Sequence, residues 1–297
     1  MRLRRSLHFV PGANEKMMGK ALNLSADALI FDLEDSVTPE AKLAAREAVC
    51  EWLDENRECR QERLVRVNPF DSKWGRDDLE AIVMHQPDGI VLPKVLSRET
   101  VESVDSVLQQ AEKNLPEHAV RPKLVLIGTE DAGAVFNLPQ MTSHPRVNGL
   151  TWGAEDLSVS LGARRKRDSN GNYLEVFGFV RSYCLLAAAA AGVQPIDSVY
   201  TDIRDIAGLC RESETAADMG FTGKLTIHPD QIEVVNAAFT PSNEEIERAE
   251  NLLQAFEEHR RSGKMAFTFE GSMVDVPHLK RAEQMLAAAA QIAAQNS

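Results

Sequence analysis

Short apolar runs rich in Val, Ile and Leu recur along the chain up to residue 227, and stretches with helical character separate them. Runs that are apolar throughout predict strands that are buried on both faces, as in parallel sheets covered by helices. Strands that alternate with helices in this way favour an α/β fold, a (β/α)₈ TIM barrel, with an open doubly wound sheet as the alternative. The predicted strands span residues 7–10, 28–31, 64–67, 89–92, 124–127, 149–152, 198–200 and 224–227.

The alternation stops near residue 235, which predicts two domains: a catalytic barrel over residues 1–235 and a C-terminal helical arm over residues 236–297. Pro241-Ser242 precedes Glu244 and Glu245, and acidic residues in a first turn favour a helix start. We expect that helix to break at Ser262-Gly263, and an extended segment to lead into a last helix over residues 280–295. The arm is either a brace or a partner-contacting element.

The charge and apolar patterns exclude several classes of partner. A formal net charge of −12 makes the chain a poor nonspecific ligand for nucleic acid, because it repels a polyanion overall. Residues 184–191, the longest apolar run, fall far short of the ~18 residues that span a membrane. The 4 cysteines show no metal-ligand spacing, so we expect a reducing, cytoplasmic compartment.

Polar and ionisable residues follow six of the predicted strands. Barrel enzymes build their active sites from the carboxyl ends of the strands, so these residues predict a site at one rim. They are Asp32, Glu34 and Asp35; Arg66 and Asn68; Pro93 and Lys94; Glu130 and Asp131; Glu155 and Asp156; and His228, for which a structural role is favoured.

Several carboxylates that converge on one pocket repel each other unless a cation lies between them. Oxygen ligands without His or Cys indicate Mg²⁺, which commonly uses one or two carboxylates together with substrate oxygens and water. We predict Glu130 and Asp156 as the metal ligands. The group Asp32, Glu34 and Asp35 has two interpretations: further metal ligands, or structural bridges to Arg66, Lys94 and backbone amides.

Seven segments of the chain resemble one family when they are taken together. They are RSLHFVPG, FDLEDSV, VRVNP, DGIVLPKV, WGAEDL, GFTGKLTIHP and GSMVDVPHLKRA. In this order they are similar to the citrate lyase β-subunit-like proteins of the malyl-CoA lyase and HpcH/HpaI aldolase superfamily. The resemblance runs from about Arg5 to Arg281. It implies a (β/α)₈ barrel with a C-terminal extension, Mg²⁺ as the cofactor, and carbon–carbon bond chemistry beside a coenzyme A thioester.

The resemblance also implies roles for individual residues. Glu130 and Asp156 match the family's metal ligands, and Arg66 matches the arginine that handles the substrate oxyanion. Asp275, in the VDVPH segment, matches an acid/base that reaches the site from a neighbouring subunit. The chain is therefore expected to form a homotrimer in which a lid segment of the arm completes the next subunit's site.

Two features bear on the ligands. Coenzyme A carries phosphates, so we expect basic residues near the pocket. The candidates for coenzyme A contacts are the basic residues Arg5, Lys16, Lys20 and Lys94, together with Pro93. The basic run 164–167 is either a further phosphate contact or an ordinary solvated surface.

The family often reads I-E-T-A after the fifth strand, whereas Asp131 stands here in place of the threonine. This carboxylate is expected to alter the keto-acid pocket.

These inferences predict a Mg²⁺-dependent CoA-ester lyase. Its substrate is a 3-hydroxyacyl-CoA of the malyl-CoA or citramalyl-CoA type, and its products are acetyl-CoA and a small 2-keto acid, glyoxylate or pyruvate. The alternatives are a citrate lyase β chain that acts on a carrier-protein thioester, a malyl-CoA thioesterase, and a noncatalytic CoA-binding regulator.

Overall fold

Eight parallel strands close into a barrel in the computed structural model, which describes residues 2–261 and 265–295. β1 pairs with both β2 and β8, so the sheet has no edge. The predicted TIM barrel is confirmed and the open sheet is excluded. The strands are β1 (Ser6–Pro11), β2 (Ala28–Asp32), β3 (Glu62–Arg66), β4 (Gly89–Leu92), β5 (Lys123–Ile127), β6 (Val147–Thr151), β7 (Gln194–Asp197) and β8 (Gly223–Thr226).

Helices connect successive strands, as right-handed parallel crossovers require. Two helices follow β5 and two follow β6, whereas one main helix follows each of the other strands. They are α1 (Glu15–Ala21), α2 (Lys42–Glu55), α3 (Gly75–Val83), α4 (Arg98–Glu112), α5 (Ala132–Val135), α6 (Leu138–Thr142), α7 (Ala154–Ser160), α8 (Glu175–Ala191), α9 (Ile206–Met219) and α10 (Asp230–Ala238). Within the described ranges, no helix combines the length and the apolar character needed to cross a lipid bilayer.

The seventh strand is not where the sequence predicts it. β7 spans Gln194–Asp197, whereas the prediction is residues 198–200. All four residues of β7 are buried, although its two ends are polar and Pro195 lies between them. The buried carboxylate of Asp197 is compensated by Arg181 and Lys224, which lie 2.9 and 2.7 Å away. Apolar patterning cannot identify a strand whose buried charge is neutralised by partners from other elements.

Apolar side chains fill the barrel interior, and a second layer lies between strands and helices. Leu7, Leu64, Val91, Ile196 and further interior residues form one cluster inside the barrel. The alternate residues of the same strands point outward and pack against the helices, which forms the larger apolar cluster. Because side chains alternate along a strand, continuous apolar runs are needed to supply both layers.

Arg4 occupies the amino-terminal end of the barrel and is 1% exposed. Its guanidinium forms two hydrogen bonds with Glu62, at 2.6 and 2.8 Å, and contacts the side-chain oxygens of Asn148 and Gln194. A Cβ atom on Gly223 would lie 1.8 Å from the Arg4 carbonyl oxygen, so only glycine fits beside this backbone. The end of the barrel opposite the predicted site is thus an ion-paired structural layer.

Residues 4–236 form one compact unit, and the described residues from Ala237 onward belong to a second. The second unit contains α11 (Asn243–Arg261), β9 (Phe267–Phe269), β10 (Ser272–Val274) and α12 (Val276–Gln295). Phe256, Phe267 and Val274 form its small apolar core. Ser242 and Glu245 form the expected helix start through reciprocal hydrogen bonds. The break expected at Ser262-Gly263 lies outside the described residues.

Glu62→Gln should destabilise the barrel strongly, because it leaves the buried Arg4 guanidinium without its counter-charge. Removing one partner of a buried pair lowers the free energy of unfolding by about 3 kcal/mol or more. Glu102→Gln is the matched control, since Glu102 pairs with Arg98 at the surface with 51% of its side chain exposed. The control should lose less than about 1 kcal/mol in urea unfolding. Equal losses in the two variants would contradict a structural role for the Arg4 pair.

Candidate active site

A cavity of about 420 Å³ opens at the carboxyl ends of the barrel strands. Arg66, Glu130 and Asp156, which come from three different strand ends, all line it. Apolar side chains, among them Phe9 and Leu225, form much of the remaining wall. The cavity therefore combines a cation and several carboxylates with walls that exclude water, a composition that is typical of small-molecule sites.

Arg66 is held from three sides. It ends β3 directly beside Asp32, the last residue of β2, and its Nε and Nη2 atoms bind the two Asp32 carboxylate oxygens at 2.7 and 2.8 Å. Its guanidinium also lies over the Phe9 ring, 4.7 Å from the centroid. Burial alone would raise the pKa of Asp32, but the hydrogen bonds and charge of Arg66 lower it below the usual range. This pair fixes the plane of the guanidinium.

Glu34 joins Arg66 to Lys94. Lys94 Nζ donates to Glu34 Oε1, and Arg66 Nη1 lies 3.1 Å from Glu34 Oε2. The second contact is an ion pair without hydrogen-bond geometry, so Oε2 is buried without a hydrogen-bond partner among the described residues. Burial raises the pKa of Glu34 although both cations lower it. Of the two interpretations of the 32–35 acids, the structure favours bridges to Arg66 and Lys94.

Glu130 is buried without a comparable counter-charge. It is 6% exposed, and the Lys94 backbone N–H donates to its Oε2 atom. Burial, with the nearby carboxylates of Glu34 and Asp156, raises its pKa to about 8. A Cβ atom on Gly153 would lie 2.8 Å from Glu130 Cγ, so the glycine after Trp152 makes room for this side chain. Glu130 is thus packed into one position at the cavity wall.

Asp156 completes the acidic side of the cavity from the first turn of α7. Its side chain is 40% exposed and lies 3.9 Å from Lys94 Nζ. Among the described residues, no group of three or more His, Cys, Asp or Glu side chains forms a preassembled metal site. Mg²⁺ commonly needs only one or two carboxylates when substrate and water supply the other oxygens. The donor set of Glu130 and Asp156 fits this ion, whose charge would compensate the buried Glu130.

The five residues proposed to contact coenzyme A have different positions. Neither Lys94 nor Pro93 lines the cavity. Lys94 lies beside it, since its Nζ atom contacts Glu34 and is 3.9 Å from Asp156, whereas Pro93 is buried. Lys16 and Lys20 are exposed on α1, the helix whose Met17 side chain does line the cavity. Both lysines are therefore accessible to a long ligand that leaves the cavity on that side.

The prediction that Arg5 contacts coenzyme A is wrong. It immediately precedes β1, at the amino-terminal end of the barrel, and the active-site cavity is at the other end. It is 7% exposed, and both its backbone N–H and its guanidinium bind the Asp27 carboxylate at 2.8–2.9 Å. A buried, ion-paired arginine at that end has a structural role.

Asp131, the departure from the family pattern, is a helix cap. Its Oδ1 atom accepts a hydrogen bond from the Gly133 backbone N–H at 2.7 Å, which is the usual role of aspartate before the first turn of a helix. It is exposed and does not line the cavity. The expectation that its carboxylate alters the keto-acid pocket is therefore not supported by its position.

Asp275 belongs to the second unit, between β10 and α12. It is half-buried, and one of its carboxylate oxygens lies 2.7 Å from Nδ1 of His278. Its proposed acid/base role remains a prediction.

Sequence reasoning also missed the contact of Phe9 with Arg66. The only signal for it in the sequence is the alternation of side chains along β1, which places Phe9 on the same inward face as Leu7.

Comparisons with known proteins agree with this geometry. Residues 5–229 match the model of the HpcH/HpaI aldolase/citrate lyase family. The chain is 39% identical to (3S)-malyl-CoA thioesterase of Cereibacter sphaeroides over 98% of its own length and 96% of that protein. It is 36% identical to the mitochondrial citramalyl-CoA lyase of Homo sapiens, over 97% of this chain and 86% of that protein.

A solved structure is similar over nearly the whole fold. The CitE protein of Mycobacterium tuberculosis, crystallised with magnesium, acetoacetate and coenzyme A, aligns with a TM-score of 0.81 and 34% identity. The alignment covers 98% of this chain and all of that one. These matches confirm the resemblance inferred from the motifs. The chain belongs to the HpcH/HpaI aldolase/citrate lyase family of enzymes.

Proposed function

We propose that the protein is a Mg²⁺-dependent lyase that cleaves a 3-hydroxyacyl-CoA of the malyl-CoA or citramalyl-CoA type. The products are acetyl-CoA and glyoxylate or pyruvate. The observation that carries this proposal is the shared cavity, where a fixed arginine faces two carboxylates that lack a matching cation. A relative named citramalyl-CoA lyase and the CitE complex with magnesium and coenzyme A support the same chemistry.

Glu130 and Asp156 would hold the metal, because their carboxylates line the cavity and neither is tied to an arginine. Mg²⁺ bound there supplies positive charge that polarises the oxygens of the keto acid. Asp32 and Glu34 serve a different purpose, since their oxygens are already committed to Arg66 and Lys94. Asp32 and Glu34 thus neutralise cations of the protein, and Glu130 and Asp156 are left for the metal.

Cleavage breaks the bond between C2 and C3 of the acyl group. The C3 hydroxyl gives its proton to water and becomes the carbonyl of the keto acid, and the electron pair of the broken bond forms the enolate of acetyl-CoA. Arg66 would stabilise the negative charge on oxygen, since its guanidinium is fixed by Asp32 and Phe9 before the substrate binds. Asp275 would then donate a proton to the enolate carbon, which completes acetyl-CoA.

A thioesterase is the second candidate, and the 39% identity to a (3S)-malyl-CoA thioesterase favours it specifically. That reaction adds water to the thioester carbonyl and releases free CoA and malate, with the C2–C3 bond intact.

Product analysis tests the proposed reaction directly. With Mg²⁺, malyl-CoA or citramalyl-CoA should give acetyl-CoA and the matching keto acid in equal amounts, as measured by chromatography of both products. EDTA should abolish turnover, and added Mg²⁺ should restore it, because the acidic cavity needs a cation. Free CoA and malate as the first products would establish the thioesterase instead. Full turnover in EDTA would contradict the metal assignment.

Arg66→Lys should lower kcat by about 100-fold to 1000-fold, the usual effect of removing a donor to a developing oxyanion. A lysine keeps the charge but cannot reproduce the planar two-bond contact with Asp32. The ratio kcat/KM should fall by the same factor, because an interaction made in the transition state has been removed. Arg98→Lys is the matched control, since Arg98 forms a surface ion pair with Glu102. Wild-type kinetics in Arg66→Lys would show that Arg66 has only a structural role, as a partner of Asp32.

We further propose that the enzyme is a homotrimer with active sites shared between subunits. Asp275 lies between a short hairpin and α12, and Met273 beside it is 68% exposed. A segment with this exposure can cover a cavity and exclude water. The family resemblance assigns Asp275 to the neighbouring chain's site, and heterologous contacts that close give a ring.

Mixed oligomers test the shared site. Arg66→Ala and Asp275→Asn homo-oligomers should each be nearly inactive. Co-expression of the two variants should restore part of the activity, because some sites then combine an intact Arg66 with an intact Asp275 from another chain. Light scattering should report three chains for each assembly. If the mixed assemblies are no more active than either parent, Asp275 acts within its own chain or is not the acid/base.

A further inference from the structure

A second cavity, of about 480 Å³, lies outside the barrel between α8, α9 and the loop that precedes α8. It shares no lining residue with the candidate active site. Three arginines line it, Arg167, Arg181 and Arg211, against two acids, Asp205 and Glu212. The wall therefore carries an excess of one positive charge, although the chain as a whole has a net charge of −12.

Both acids are fully engaged within the protein. Glu212 binds Lys224 through Oε1 at 3.0 Å and Arg167 through Oε2 at 2.6 Å. Asp205 accepts hydrogen bonds from the Gly208 backbone N–H at 2.8 Å and the Tyr200 hydroxyl at 2.7 Å, which hold its pKa below the usual range. Each carboxylate oxygen of the two acids is thus already paired with a donor.

Hydrogen-bond donors, in contrast, remain available. Arg181 is 7% exposed and binds Asp197 through Nε and Nη2, at 3.0 and 2.9 Å, while its Nη1 atom has no partner in the described part of the chain. The Tyr173 hydroxyl likewise makes no hydrogen bond with residues 2–261 or 265–295. Arg211 is exposed and forms no salt bridge within the same ranges. Three donors from three elements thus face one cavity.

Two of these donors belong to a packed network. The Arg167 guanidinium stacks on the Tyr173 ring at 3.7 Å, and Tyr173 packs edge-on against Trp152, with 5.0 Å between ring centroids. Trp152 Nε1 also donates to Asp197, the partner of Arg181, at 2.8 Å. Tyr173 and Arg181 are therefore held in place before any ligand binds. Trp152 lines the active-site cavity, so Tyr173 in the wall of the second cavity contacts a residue in the wall of the first.

We propose that this second cavity binds a small organic anion through a carboxylate or phosphate group. The groups available to an oxyanion are the Arg211 guanidinium, which forms no salt bridge among the described residues, the remaining Nη1 donor of Arg181 and the Tyr173 hydroxyl. The Arg211 fork matches both anions geometrically. The volume is within the range of small-molecule sites. The site is independent of the reaction proposed above, because none of its lining residues contributes to the cavity of Arg66, Glu130 and Asp156.

Calorimetric titration of the full-length protein with inorganic phosphate and, separately, with succinate tests the site, in EDTA and at constant ionic strength. At least one probe should bind saturably with one site per chain, and the probe that binds identifies the anion class. Arg211→Gln and Tyr173→Phe should each weaken that binding by about tenfold, the typical effect of losing one hydrogen bond to a charged group. Arg165→Gln, which removes an exposed charge of the same loop outside the cavity, should bind as the wild type does.

Arg66→Lys should also bind the probe normally, which separates this site from the candidate active site, where Arg66 is the cation in the lining. The proposal is overturned if neither probe saturates, if Arg211→Gln and Tyr173→Phe both bind like the wild type, or if Arg165→Gln loses as much affinity as they do. Weakened binding in Arg66→Lys would place the anion in the active site and would equally overturn it. Turnover of the acyl-CoA substrates does not enter any of these readouts.

Discussion

The pairing of buried charges at the carboxyl ends of β2, β3 and β4 is the interaction on which the active site depends. The Arg66 guanidinium lines a cavity whose walls are largely apolar, where an unpaired charge is costly, and the Lys94 ammonium group lies beside that cavity. Asp32 compensates Arg66 through two parallel hydrogen bonds, and Glu34 joins Arg66 to Lys94. Because both acids come from β2 and its following turn, a single segment positions both cations.

This pairing explains how four buried or half-buried acids can lie close together at one rim. Asp32 and Glu34 neutralise cations of the protein, whereas Glu130 and Asp156 are left with only the Lys94 backbone amide and a more distant ammonium group. Glu130 therefore lacks a compensating positive charge, and its pKa is raised because burial disfavours its charged form. A divalent cation held by Glu130 and Asp156 would supply that positive charge, and the proposed function would then combine it with the charge of the fixed Arg66 guanidinium.

Much of this arrangement follows from the order of residue types in the sequence. Continuous apolar runs require a sheet that is covered on both faces, and residues after such strands must meet at one rim, which is why Arg66, Glu130 and Asp156 could be predicted together. The same rule, applied to residues before a strand, excludes Arg5 from the rim. β7 escaped prediction because the burial of Asp197 depends on Arg181 and Lys224, which are distant in sequence. The role proposed for Asp275 would depend on an assembly of chains, which local patterning does not encode.

The central claim is that Glu130 and Asp156, and not the acids of the 32–35 segment, bind the metal. Electron paramagnetic resonance of Mn²⁺ in titrations of the wild-type protein and single variants measures this most directly. Glu130→Gln and Asp156→Asn should each weaken Mn²⁺ binding by at least about tenfold. Asp35→Asn, which removes an exposed carboxylate from the same cavity, should leave the affinity within about twofold of the wild type. Loss of Mn²⁺ binding in Asp35→Asn together with normal binding in Glu130→Gln and Asp156→Asn would contradict the account.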